Sequence, residues 1–133
     1  MTPLFKKLNL KPEHGAVAVL HAPASFGSAL QALADEGVTI ARTVSPRLQF
    51  GLAFATTQAE LNVAIAQLTA VAEGDAVLWF AYPKQSSKRY RCEFHRDSGW
   101  DALGAAGYDS VRMVAIDEDW SALRFRKVEH ITR

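Results

Sequence analysis

AVLWFAY, residues 76–82, holds seven consecutive residues without a charge, between Glu73-Gly74-Asp75, which reads as a turn out of the preceding helix, on one side and Pro83-Lys84 on the other. An apolar run this short and this uniform is what a strand buried on both faces looks like, and both faces are buried when helices cover the sheet on each side. Working outward, the chain alternates strand and helix. Upstream, LQFGLAFA (48–55) reads as a strand, Thr57 as a helix cap, and Leu61, Ala64, Ile65, Leu68 and Ala72 as the apolar face of the helix that follows. Before it, AVAVLHA (16–22) is a buried strand, and Ser25 is placed to cap a helix carrying Phe26, Leu30 and Leu33, which Gly37 ends. VTIARTV (38–44) reads as a second strand, broken by Ser45-Pro46, and Leu4, Phe5 and Leu8 suggest one or two helical turns at the start. Downstream, residues 98–107 form a helix through Trp100, Leu103 and Ala106, and SVRMVAI (110–116) and SALRFRKV (121–128) are strands. Asp117-Glu118-Asp119-Trp120 between them is too short for a parallel crossover, so the last two strands are an antiparallel hairpin. The expected architecture is a three-layer α/β domain with a mostly parallel sheet of five to six strands closed by that hairpin.

The 133 residues fit one domain, 1–133, with no repeat or linker. Fifteen basic side chains face fourteen acidic ones, so no global positive field exists for nucleic acid, which is not expected as a partner. One cysteine, Cys92, makes neither an internal disulfide nor a thiolate zinc cluster. No apolar run approaches the roughly 20 residues of a membrane helix, and the amino terminus carries no export signal. A cytoplasmic protein without a membrane partner is the expectation.

The strand order with its closing hairpin resembles the Rossmann-like fold of S-adenosylmethionine-dependent methyltransferases. The resemblance is carried from residue 48 onward, and the turn Ala105-Ala106-Gly107-Tyr108 is similar to the small-Gly-aromatic turn of those enzymes. The first half departs from them. Where the family has a glycine-rich turn after the first strand, this chain has His21-Ala22-Pro23-Ala24-Ser25-Phe26-Gly27; where it has an acid after the second, this chain has Arg42-Thr43-Val44-Ser45-Pro46. No cofactor is therefore expected, and the resemblance implies architecture alone. Tyr82-Pro83-Lys84, Asp97 with Gly99-Trp100 and Leu103, and Val114-Ala115-Ile116-Asp117 followed by Trp120-Ser121-Ala122-Leu123-Arg124-Phe125-Arg126 also resemble small bacterial proteins of the domain-of-unknown-function family numbered 3052. That resemblance implies a small Rossmann-like domain with no assigned reaction.

The candidate site follows from the opening strand. YPKQSSKRYR (82–91) leaves its carboxyl end, the favoured position for ligands in open α/β folds, with four cationic side chains and no acid. Lys84, Lys88 and Arg89, with the hydroxyls of Ser86 and Ser87, can receive a phosphate or carboxylate, and His21 at the end of the first strand can join them. The competing reading is a solvated connection, or, since Tyr90, Cys92 and Phe94 alternate with Arg89, Arg91 and Glu93, an edge strand whose charges block edge-to-edge pairing. His95-Arg96-Asp97 imitates a kinase triplet without the loops that would support it. His95 and Asp97 can act as an acid–base pair, although Asp97 reads better as a helix cap. Basic neighbours can lower the pKa of Cys92, against a half-buried strand cysteine as the plainer reading. His14 and His130 have no metal-ligand spacing. Arg124 and Arg126 alternate with Leu123 and Phe125, and are expected to pair with Asp117, Glu118 or Asp119, or else to join the basic loop around an anion. Trp100 and Trp120 read as core or lid residues. Two functions follow from this reading: a non-catalytic domain that binds or self-associates, a homo-oligomer among the options, or an enzyme or sensor for a small anionic ligand held by the loop at 83–91.

Overall fold

The computed structural model describes residues 2–132. Five strands run parallel: β1 (Val17–Leu20), β2 (Ile40–Ala41), β3 (Leu48–Phe54), β4 (Ala72–Pro83) and β5 (Tyr108–Ala115). A sixth, β6 (Trp120–Lys127), is antiparallel to both β4 and β5 and lies between them, giving the order β2-β1-β3-β4-β6-β5. The hairpin is closed by Asp117, whose Oδ1 accepts from the backbone N–H groups of Asp119 and Trp120, both at 2.8 Å, an Asp-stabilised turn.

β4 is central, and its alternation builds both cores. Val77, Trp79 and Ala81 pack on one face with Phe5 and Leu8 of the α1 segment (α1, Pro3–Lys7) and Leu30 and Leu33 of α2 (Gly27–Asp35). Leu78, Phe80 and Tyr82 pack on the other with Leu61, Ala64, Ile65 and Leu68 of α3 (Gln58–Val71) and Leu103 of α4 (Asp101–Ala105). Trp79 is fully buried and its indole N–H donates to the Leu8 carbonyl at 2.8 Å, which fastens the amino-terminal segment over the middle of the sheet. The helix-on-both-faces arrangement read from residues 76–82 is the one observed. No described helix is long and apolar enough to cross a membrane.

Several local expectations are corrected. The strand expected at 38–44 shrinks to Ile40–Ala41, because the chain must turn back at once. β2 pairs only at the level of Val17 and Ala18, and residues 42–47 return across the sheet to start β3, with Val44 packed on the α3 side. Connections between parallel strands ordinarily need a dozen residues or more; this one manages with six because β2 is so short. Glu73, Gly74 and Asp75 are not a turn. β4 begins at Ala72, and these three bulge out of the ladder between the pairs Leu48–Ala72 and Phe50–Val77, with Gly74 at φ +59°. Ser25 caps nothing: a 3-10 turn at Ala24–Phe26 precedes α2, and no side chain caps the helix. Asp97 likewise caps no helix, since α4 starts at Asp101 with Trp100 before it. Thr57 does cap α3, in a reciprocal box where its Oγ1 accepts from Glu60 N at 3.1 Å and Glu60 Oε1 accepts from Thr57 N at 3.0 Å.

Candidate functional site

In an open parallel sheet, ligands collect beyond the carboxyl ends of the strands where the order reverses. Here that point lies between β1 and β3, whose onward connections leave on opposite faces. Three segments converge on it: residues 21–27 after β1, residues 55–57 after β3, and residues 84–100 after β4.

The first segment packs its own side chain against the end of β3. His21 is exposed and takes φ +58°, a left-handed conformation that histidine adopts more readily than most residues. It turns the chain into the 3-10 turn that carries Phe26 inward. Phe26 is buried, with its ring 4.9 Å from that of Phe54 at the end of β3 and 6.2 Å from Phe5. Gly27, the single glycine of this turn, has ordinary helical geometry at φ −59°. The left-handed backbone of this turn is therefore supplied by His21 and not by a glycine.

The basic loop shuts the crevice from above. Lys84 N donates to the Asp119 carbonyl at 2.8 Å, Ser87 Oγ donates to Asp119 Oδ1 at 2.9 Å, and Ser87 Oγ accepts from Tyr90 N at 3.2 Å. Tyr90 then lies on Trp120, ring centroids 5.0 Å apart, with the Arg89 guanidinium 5.9 Å from the Tyr90 ring. The buried Trp120 indole N–H has no partner among the described residues. Tyr90 packs with the α1 and α2 side of the sheet and Cys92 with the α3 side, so the loop crosses the carboxyl edge between them. It is pinned as it lands: Glu93 N donates to the Thr56 carbonyl at 3.0 Å and Glu93 Oε1 accepts from Gln58 N, the first residue of α3, at 2.9 Å. Beyond, Phe94 and Trp100 join Tyr82, Phe80 and Phe125 in one aromatic cluster, and the Trp100 indole donates to the His95 carbonyl at 2.9 Å. Residues 84–100 therefore form no edge strand; their single bridge joins His95 to Ser98, and the sheet edges are β2 and β5.

Of the candidate ligand residues, Lys84, Ser86, Ser87, Lys88 and Arg89 share this loop, while His21 stands two strands away from β4. Two open clefts, 430 Å³ and 440 Å³, flank Lys84 and Gln85, and neither includes His21. Ser86, Lys88 and Arg89 are exposed, and Ser87 is committed to Asp119. The loop thus carries a carboxylate against its own hydroxyl, a neighbour that works against a bound anion.

The remaining candidates sort by geometry. His95 Nδ1 accepts from Asp97 N at 3.2 Å, a backbone contact rather than an imidazole–carboxylate pair. Burial pushes the Cys92 thiol pKa up, and the residue lies in the loop rather than in a strand; it is not an activated thiolate. No group of three metal-ligating side chains exists among the described residues. Arg126 does not pair with the hairpin acids. It lies at the far end of β6 from them and grips Asp75 of the β4 bulge, Nε to Oδ1 at 2.8 Å with Nη2 on Oδ2. That fork holds the Asp75 pKa below the usual carboxylate value. Sequence reasoning missed this partner because it took Glu73-Gly74-Asp75 for a turn.

Comparison with known proteins reports on the fold. No family model matches the chain, and no curated protein matches it in sequence. Among solved structures it is similar to a SAM-dependent methyltransferase from Aquifex aeolicus, with a TM-score of 0.62 and 13% identity over 94% of this chain and 88% of that one. It is also similar to magnesium protoporphyrin IX methyltransferase from Synechocystis PCC 6803, a structure with bound SAM, at a TM-score of 0.57 and 13% identity, covering 93% of this chain and 74% of that one. The N-methyltransferase NodS from Bradyrhizobium japonicum gives a TM-score of 0.54 at 14% identity, over 93% of each chain. At such identities the likeness establishes a methyltransferase-like Rossmann fold.

Proposed function

We propose that this chain uses a methyltransferase-type Rossmann domain as a binding scaffold, acting through self-association or protein contact rather than methyl transfer. The observation that carries the proposal is the filled switch point: Phe26, from the turn where a cofactor would be cradled, packs on Phe54, and the loop after β4 is bonded down across the end of β3. A ligand there would have to displace two buried aromatic rings, a cost of several kcal/mol before any contact is gained. Arg42, exposed after β2, offers no acceptor for ribose hydroxyls. The free edge β5 supports association, since it leaves Val111 and Met113 39% and 45% exposed beside unpaired backbone. Kinship with the family numbered 3052 and a reducing cytoplasmic setting, consistent with one burial-protected cysteine, belong to the same proposal.

Two measurements on the full chain test it. Light scattering is expected to give a mass above one subunit, and titration with S-adenosylmethionine to give no saturable heat. A strict monomer at high concentration removes self-association, and micromolar S-adenosylmethionine binding overturns the filled-crevice argument. The second reading, an anionic ligand on Lys84, Lys88 and Arg89, draws on the clefts flanking Lys84. It predicts a thermal shift with a sugar phosphate that Lys84→Ala/Lys88→Ala abolishes.

A further inference from the structure

One set of charges is left over by the fold. On the sheet face covered by α1, Arg124 of β6 stands directly opposite Arg112 of β5, and on its other side opposite Trp79 of β4. Like charges directly across a ladder are destabilising. Arg126, two residues on, is accounted for by its fork on Asp75, and Asp109 stands at its own level of the ladder. Arg124 has no such fork: its Nε is buried and makes no hydrogen bond among the described residues, and the Asp75 carboxylate, forked on Arg126, reaches it only as a nearby charge. Trp79 offers no acceptor, its one polar group being spent on the Leu8 carbonyl. A half-buried guanidinium with an unsatisfied Nε costs stability.

We propose that Arg112 and Arg124 form a subsite for a small oxyanion of the phosphate type, beside the Arg126–Asp75 ion pair. The Arg126–Asp75 fork displays the geometry that Arg124 lacks, two oxygens set against Nε and a terminal nitrogen, and phosphate supplies this geometry together with a charge to offset two guanidinium groups. Arg124 is half-buried and Arg112 exposed, so the pair meets solvent. Burial first, then Arg126 and, more weakly, Arg112 push the Arg124 pKa downward against the opposing charge of Asp75. His14 lies within electrostatic reach of Arg124; its Nδ1 accepts from Lys11 N at 3.0 Å, which leaves the other ring nitrogen as a donor. The site lies partway down β6, away from both the filled crevice and the basic loop, and it stands whether or not the chain self-associates.

The test is calorimetric titration of the full chain at low ionic strength with pyrophosphate and, in a parallel arm, with ADP. The expected result is one site per chain, weakened at least tenfold in Arg112→Gln and in Arg124→Gln and unchanged in Lys84→Ala/Lys88→Ala. Tighter binding of ADP assigns the oxyanion to a nucleotide, and tighter binding of pyrophosphate to a free one; both support the site. A second readout guards against variants that merely misfold. Arg124→Met should melt at or above the wild-type temperature in phosphate-free buffer, and pyrophosphate should raise the melting temperature of the wild type alone. Absence of heat with both probes, undiminished affinity in Arg124→Gln, or loss of binding in the loop variant overturns the assignment.

Discussion

Replacing Phe26 by alanine tests whether the switch point is filled by a structural side chain or only covered. Phe26 is 2% exposed and sits between Phe5 and Phe54, which are 0% and 2% exposed. Moving one such side chain into water forfeits about 1.5–3 kcal/mol of burial, and an aromatic pair as close as Phe26–Phe54 adds about 0.5–1.5 kcal/mol. Phe54 is held by its pairing with Ala81 of β4 and Phe5 precedes the Trp79–Leu8 tie, so the gap cannot collapse. The expected loss is therefore about 3–5 kcal/mol, the range of buried Phe→Ala changes. With a urea slope of about 1–3 kcal/mol per molar, the unfolding midpoint should fall by at least about 1 M without a change in slope. Ser25→Ala is the control: Ser25 is exposed and caps nothing, so its effect should stay within about 0.5 kcal/mol. A loss below about 1 kcal/mol for Phe26→Ala, or S-adenosylmethionine binding by the wild type, would refute the reasoning.

Gly99→Ala should be among the most damaging single changes. Gly99 has φ +98°, and an added Cβ would stand 2.6 Å from Phe94 Cβ, so strain alone costs about 1–3 kcal/mol and the clash adds to it, read from the same urea curves. Thr57→Ala should cost about 1 kcal/mol by removing the α3 cap, with Gly at the same position recovering most of it. The Asp75–Arg126 fork sets a pH dependence. The folded Asp75 pKa lies below the unfolded value, so the stabilisation is complete above the unfolded value of about 3.9 and is lost as pH falls through the folded one. The melting-temperature gap between wild type and Asp75→Asn should be constant from pH 5 to 7 and close in more acid buffer; a gap that widens there contradicts the assignment.

Much of the fold was legible because burial leaves a local trace. Residues 76–82 announce a strand covered on both faces, Thr57 and Glu60 announce a helix start at the right spacing, and a four-residue link forces the last two strands antiparallel. What failed did so where a short segment's fate depended on distant partners. Residues 38–44 have the composition of a strand, yet only two of them find a neighbour, because the return to β3 leaves no length for more. Glu73-Gly74-Asp75 has the composition of a turn and became a bulge because β4 pairs with β3 before and after it. The alternation at 89–94 suggested an edge strand, whereas Glu93 is drawn to Thr56 and Gln58, more than thirty residues away.

The sequence by itself determined the fold class, the position of the basic loop at the end of the central strand, and the lack of a glycine-rich turn, since each follows from periodicity, length or backbone freedom within a few neighbouring residues. Only the tertiary structure decided that Phe26 packs on Phe54 at the end of β3, that Ser87 is spent on Asp119, and that Arg126 is forked on an acid while the Arg124 Nε has no acceptor among the described residues. Those outcomes depend on which side chains meet across the sheet. Register sets that, and no local pattern encodes the register of strands dozens of residues apart.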